Sequence, residues 1–228
     1  WMMVGYFGLF DLGLGWALTR VLAERMASGR EDGVPELVWT SMGLLLGLGT
    51  LGGLALALLS PTLVHTVLRV QPALETETLL AFQVIAVALP AVVCGAGLCG
   101  VLAAQQRFGL INAVRVPLAV FSYLGPLIVL SYAPTLVPVV SLIVVSRYVG
   151  LIVFLILCLR VLPSLRRGIR IKPSLLPSLF RIGGWIAITN TVGPLMVNLD
   201  RFLIGALLTL ASVAYYSTPF DLVSRIWL

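Results

Sequence analysis

An arginine in the middle of an apolar run is the residue that most demands a chemical explanation. Arg147 stands in Ser146-Arg147-Tyr148, and its helical neighbours Val140, Ile143, Val144, Leu151 and Phe154 are all apolar. Pro138 lies nine residues before it, roughly 14 Å away along a helix at 1.5 Å per residue. A guanidinium that deep needs a watery cavity, a carboxylate or an anionic ligand. Its planar fork suits phosphate well.

A second polar group gathers near the end of the chain. The run Thr189-Asn190-Thr191-Val192-Gly193-Pro194 is followed by Asn198-Leu199-Asp200-Arg201. Pro194 removes one backbone hydrogen bond and kinks a helix, so it is a candidate hinge. Asn190 and Arg201 are eleven residues apart and face nearly the same way on an ideal helix. Such a span reads as a moving helix that lines a cavity, or as one that hydrogen-bonds its neighbours. Asp11 is the remaining deep carboxylate, set among Gly8, Gly13 and Gly15. Small residues let another helix approach closely there. Asp11 is either a cation or proton site, or a group satisfied by a neighbouring arginine or backbone.

Other chemistry lacks its parts. His65 is the one histidine, and Cys94, Cys99 and Cys158 form no CxxC pair. Neither a metal site nor a cofactor is expected from that set. The cysteines read as small packing residues inside apolar runs. No GxSxG, P-loop, HExxH or aspartate-rich motif occurs, and the chain reads as a non-enzyme. Gln83, Gln105, Gln106 and Asn112 read as interfacial. Glu75 and Glu77 read as an exposed pair in a solvated link.

These groups need elements to hold them, and the composition dictates which. Apolar residues make up 60% of the 228, charged residues only 11%, and the mean hydropathy is +1.08. Soluble domains carry about 25% charged residues, so lipid is the solvent for most of this surface. The expected fold is all-α: a polytopic transmembrane bundle of about seven spans. They fall near 1–19, 38–60, 79–104, 110–132, 136–162, 178–206 and from 211 onward. Continuous runs rich in Leu, Ala, Val and Gly exclude the alternating pattern of a membrane β-barrel. The short fourth link, near Pro134 and Pro138, makes spans four and five antiparallel neighbours.

Positive charge orients the bundle. Arg20, Arg25 and Arg30 fall in the link near 20–37, and Arg107 and Arg115 near 105–115. Arg160, Arg166, Arg167, Arg170, Lys172 and Arg181 fall near 160–181, whereas the alternate links hold Arg69 alone. The basic links therefore face the cytoplasm. The net charge of +6 is mostly topology, which makes nucleic acid an unsuitable partner and leaves anionic lipid headgroups as contacts near 160–172. The proline- and arginine-rich stretch 163–177 divides helices 1–162 from a second group, 178–228. Both ends of the chain are apolar and no signal-peptide pattern opens it, so the chain is expected to be a fragment cut inside a span at each end.

Two stretches carry a family resemblance. Val4-Gly5-Tyr6-Phe7-Gly8-Leu9-Phe10-Asp11-Leu12-Gly13-Leu14-Gly15, with Ala17-Leu18-Thr19-Arg20 after it, resembles the second-span region of bacterial polysaccharide-biosynthesis proteins. These are the Wzx-type O-antigen flippases of the multidrug/oligosaccharidyl-lipid/polysaccharide exporter superfamily. Asn198-Leu199-Asp200-Arg201-Phe202-Leu203-Ile204-Gly205, with Val213-Ala214-Tyr215-Tyr216, resembles the start of that family's second half.

The resemblance implies two six-helix lobes around a central cavity, of which this chain holds spans two to eight. It further implies movement of an undecaprenyl-diphosphate-linked oligosaccharide across the bacterial inner membrane. Arg147 and Arg201 would then meet diphosphate, Asn190 and Asn198 would meet sugar, and Asp11 or Asp200 would couple an ion. Partners would be the lipid-linked oligosaccharide, membrane lipids and polysaccharide polymerase or assembly proteins. Alternatives are a drug or metabolite antiporter or a lipid II flippase of the same fold, a membrane glycosyl- or acyl-transferase, and a non-transporting scaffold of a polysaccharide assembly complex.

Overall fold

The computed structural model describes residues 14–28, 33–67, 72–132 and 135–177, together with 179, 181 and 183–185. Every regular element among them is helical. Helix α1 spans Leu14–Ala27, α2 Val34–Thr62, α3 Pro72–Ala104, α4 Phe108–Tyr132 and α5 Leu136–Val161. Four stretches are long and apolar enough to cross a membrane: Val34–His65, Leu74–Ala104, Phe108–Ser131 and Leu136–Val161. The chain divides into two compact units, Trp1–Ala187 and Ile188–Leu228. The expected sixth and seventh spans fall outside the described residues except at 179, 181 and 183–185, and the first is described only from Leu14.

Helix α3 is the centre of the bundle. Of its most apolar window 61% is buried, against 28% for α2 and α5 and 6% for α4. Helices α1, α2 and α5 all pack against it, and α4 packs chiefly on α5. The three-residue link between α4 and α5 makes the antiparallel hairpin expected of it, although Pro138 stands in the first turn of α5 rather than in the link.

In lipid, leucine gains little by leaving one apolar solvent for another, so close packing must hold helices together. Helices α2 and α3 show how. Pro90, inside α3, has no N–H, so the Ala86 carbonyl one turn earlier loses its partner. That carbonyl points at Gly53 of α2: a Cβ on Gly53 would stand 2.6 Å from the Ala86 oxygen. A Cβ on Gly49 would stand 2.7 Å from the Pro90 Cα. The pair Gly49 and Gly53, four residues apart, thus admits the kinked backbone of α3. Gly100 plays the same part toward α1, where a Cβ would meet the Gly15 carbonyl oxygen at 2.8 Å. The outward stripe Leu51, Leu54 and Leu58 stays exposed, as lipid permits.

The links differ from expectation in instructive ways. Helix α1 continues through Arg20 and Arg25 to Ala27, so these arginines are helical, and the link is shorter than 20–37. Arg25 Nη1 donates to the Gly33 carbonyl at 3.4 Å. Arg115 lies in the second turn of α4 rather than in a link. The α3–α4 turn is a tight helix-ending motif: Arg107 N–H donates to Leu102 O at 3.0 Å and Gln106 N–H to Ala103 O at 2.9 Å. This motif needs a left-handed residue, and Gln106 supplies it at φ 55.

Glu75 and Glu77 do not form a solvated pair, because α3 begins at Pro72 and carries both in its first two turns. The Glu75 carboxylate lies 3.1 Å from His65 Nδ1, and Glu77 accepts from the Leu136 N–H at the start of α5. The two acids tie the acidic ends of α2, α3 and α5.

At the opposite, basic end, α5 runs into two short 3-10 turns, Pro163–Arg167 and Pro173–Leu175. This strap folds back on α2. Trp39 Nε1 donates to the Leu165 carbonyl at 3.2 Å, and Lys172 N–H donates to Thr40 Oγ1 at 2.9 Å. Leu165 is buried in the core. Met26, Glu36, Gln105, Leu162 and Arg170 all line one cavity of about 740 Å³. The three links that carry the basic residues therefore meet on one face, as the charge pattern requires.

Candidate cation-lined cavity

Arg147 sits at the middle of α5, where its depth in sequence placed it. From Val161, the basic-face end, it lies fourteen residues in, about 21 Å at the rise of an α-helix. Its apolar neighbours are those expected. Val140, Ile143 and Val144 share with it a narrow pocket of about 100 Å³ against α3. No carboxylate among the described residues pairs with it.

A larger cavity opens beside it. About 470 Å³ in volume, it lies between α3, α4 and α5, and Arg147, Arg115, Ser122 and Cys99 line it. The floor is made of small residues, Ala91, Gly95 and Ala96 on α3 and Gly150 on α5. Space opens at Gly95, which has nothing within 4 Å of where a Cβ would stand.

Arg115 was the residue that sequence reasoning missed. It was assigned to a link, but α4 begins at Phe108, and Arg115 lies seven residues inside it, about 10 Å from the basic-face end. Its side chain shares the cavity wall with Cys99. The signal for it was available: Arg115 and Ser122 are seven residues apart, two turns, and so share one face of α4.

Charge and hydrogen bonding in the cavity favour an anion. Among the described residues its lining holds two arginines and no acid. An arginine at the centre of a membrane helix costs about 2.5–3.5 kcal/mol, so two of them facing one cavity need water or an anionic guest. Ser122 is not a free donor, because its hydroxyl bonds Leu118 O at 2.7 Å. Neighbouring contacts hold α5 in place: Tyr148 donates its hydroxyl to Val87 O at 2.7 Å, and the Cys158 thiol to Leu98 O at 3.4 Å. The three cysteines are free and buried, as read from sequence. No group of three potential metal ligands occurs among the described residues.

The other candidates, Asp11, Asn190, Pro194, Asn198, Asp200 and Arg201, lie outside the described residues. Gln105, read as interfacial, reaches Met26 Sδ with its amide at 3.2 Å and lines the basic-face cavity. Gln83 and Asn112 are exposed.

Comparison with known proteins gives the arrangement its context. A family model described as polysaccharide biosynthesis protein matches residues 4–226. A curated relative from Shigella flexneri, named "Putative O-antigen transporter", is 24% identical over 225 residues, which is 98% of this chain and 52% of the relative. The chain thus spans about half the length of the curated relative it matches. No solved structure matches it. With its all-helical bundle and four apolar spans, this chain belongs to the polysaccharide biosynthesis protein family.

Proposed function

We propose that this chain forms the cation-lined lobe of a transporter that moves an undecaprenyl-diphosphate-linked oligosaccharide across the bacterial inner membrane. The observation that carries the reading is the cavity shared by Arg115 and Arg147, whose described lining contains no acid. A diphosphate crossing hydrocarbon must exchange its hydration shell for fixed donors. Guanidinium supplies them in a fork that matches phosphate oxygens.

The two arginines lie at different depths. Arg115 stands about 10 Å from the basic-face end and Arg147 about 21 Å. A diphosphate that enters from the basic, cytoplasmic face meets Arg115 first and Arg147 next, while the polyprenyl tail stays in the bilayer. Asn190, Asn198 and Arg201 would serve the sugar and the second half of the path. Asp11 or Asp200 would couple an ion gradient, and Pro194 would let the helices rock in alternating access. A cationic drug would call instead for a carboxylate, which is absent from the described lining of this cavity.

Complementation tests the reading. The whole protein is expressed in a bacterium that lacks its own O-antigen flippase, and surface glycan is measured. Restored glycan that is lost in both Arg115→Ala and Arg147→Ala, at unchanged membrane abundance, supports it. Full export in both variants removes the cavity from the mechanism.

A further inference from the structure

The strap that follows α5 has two chemically different edges. Gly168, at φ 128 and ψ 154, turns the chain, and Lys172, at φ −113 and ψ 100, is extended. Successive side chains of an extended strand point to opposite sides. Ile169 and Ile171 fall on one side and remain 69% and 58% exposed. Arg170 and Lys172 fall on the other: Arg170 lines the basic-face cavity, and Lys172 Nζ lies 3.5 Å from a Glu36 carboxylate oxygen. Bonds from Trp39 and to Thr40 pin the strap at both ends of this stretch. These bonds hold the strap against α2.

Its level relative to a bilayer follows from helix length. Helix α2 has 29 residues and is about 43 Å long, against about 30 Å of hydrocarbon. The excess belongs at its ends. The strap lies along the first ten residues of α2, since Lys172 meets Glu36 and Thr40, and Ile171 Cδ1 lies 3.7 Å from where a Gly43 Cβ would stand. Shared between the two ends, the excess is about four residues at each, which puts Glu36 in the headgroup layer and Thr40 and Gly43 just below it, at the top of the acyl region. Residues 163–172 also include Arg166, Arg167, Arg170 and Lys172 and no acid, and Arg166 is exposed.

We infer that the strap is an interfacial anchor for anionic membrane lipid, with Ile169 and Ile171 seated among the upper acyl carbons and the exposed Arg166 and Arg170 on lipid phosphates. Exposed isoleucines beside arginines suit the acyl–headgroup boundary, where an apolar edge and a basic edge are both satisfied. Each basic residue near an anionic leaflet adds attraction. The docked strap would hold the loop against α2 and keep the basic-face cavity framed. This inference does not depend on what the protein transports.

Tryptic cleavage of the intact protein tests it, in nanodiscs of phosphatidylcholine alone or of phosphatidylcholine and phosphatidylglycerol at roughly three to one. Cleavage after Arg166, Arg167 and Arg170 should be at least about threefold slower in the anionic discs. A second measurement places an environment-sensitive fluorophore on Ile169→Cys, with every native cysteine, Cys94, Cys99 and Cys158 among them, replaced by alanine to keep labelling single. Spin-labelled lipid should quench it more strongly in anionic discs. Equal cleavage in both compositions, or a fluorophore quenched by aqueous acrylamide and indifferent to lipid, overturns the proposal. Equal protection by inorganic phosphate in phosphatidylcholine discs overturns the lipid as occupant.

Discussion

Arg115 on α4 and Arg147 on α5 line the same cavity, and no carboxylate among the described residues shares its lining. Hydrogen bonds to charged groups contribute about 1.5–3 kcal/mol each, so a single guanidinium removed from a bound diphosphate should cost about tenfold or more in export. Arg115→Gln and Arg147→Gln should each show that loss in a glycan-export assay, with membrane abundance changed by less than about twofold. The double variant should lose less than the product of the singles, because both arginines serve one anion. Strict multiplication of the two effects would mean they act on separate steps.

Gly53 faces the carbonyl that Pro90 leaves without a partner. Gly53→Ala forces a methyl to within 2.6 Å of the Ala86 oxygen and should destabilise the bundle by about 1–3 kcal/mol. Thermal unfolding in detergent reads the change as a lower Tm. Gly47→Ala is the control, because nothing lies within 4 Å of its Cβ position. Its higher helix propensity should leave Tm equal or slightly raised.

Gln106 closes α3 in a left-handed conformation at φ 55. A non-glycine residue gives up about 1–2 kcal/mol there, which glycine avoids. Gln106→Gly should therefore raise Tm, with a gain of about 1 kcal/mol or less once unfolded-chain entropy is counted. Gln106→Val should lower it, since a branched Cβ fits that region worst. The reverse order of the two variants would show that the glutamine amide, not the backbone, decides the turn.

The cysteines should differ in reactivity although all three are buried. Cys99 lines the arginine cavity together with Arg115. Cys158 is 0% exposed and directs its thiol at the Leu98 carbonyl. A small anionic thiol reagent should modify Cys99 ahead of Cys158, as read by mass spectrometry. Arg115→Gln should slow modification of Cys99 alone. First modification at Cys158 would place the water-accessible path elsewhere.

Sequence by itself determined the solvent and the direction of the chain. Long apolar runs must become helices in lipid, because a helix alone satisfies its backbone within one segment. Basic links must gather on one face, and the 740 Å³ cavity among the ends of α1, α2, α3 and α5 shows that they do. Arg147 was legible because charge at membrane depth is costly wherever its partners are. Tertiary structure decided the partners. Arg115 looked like a link residue until the start of α4 at Phe108 placed it on a cavity wall. Glu75 and Glu77 looked solvated until α3 began at Pro72 and brought them to His65 and Leu136. The space between the arginines opens at Gly95 of α3, while Gly150 of α5 meets Leu118 of α4 closely, on helices distant in sequence. Hydropathy is a property of one segment. A cavity is a relation among three, set by helix azimuth and close contact, and no single run of residues encodes it.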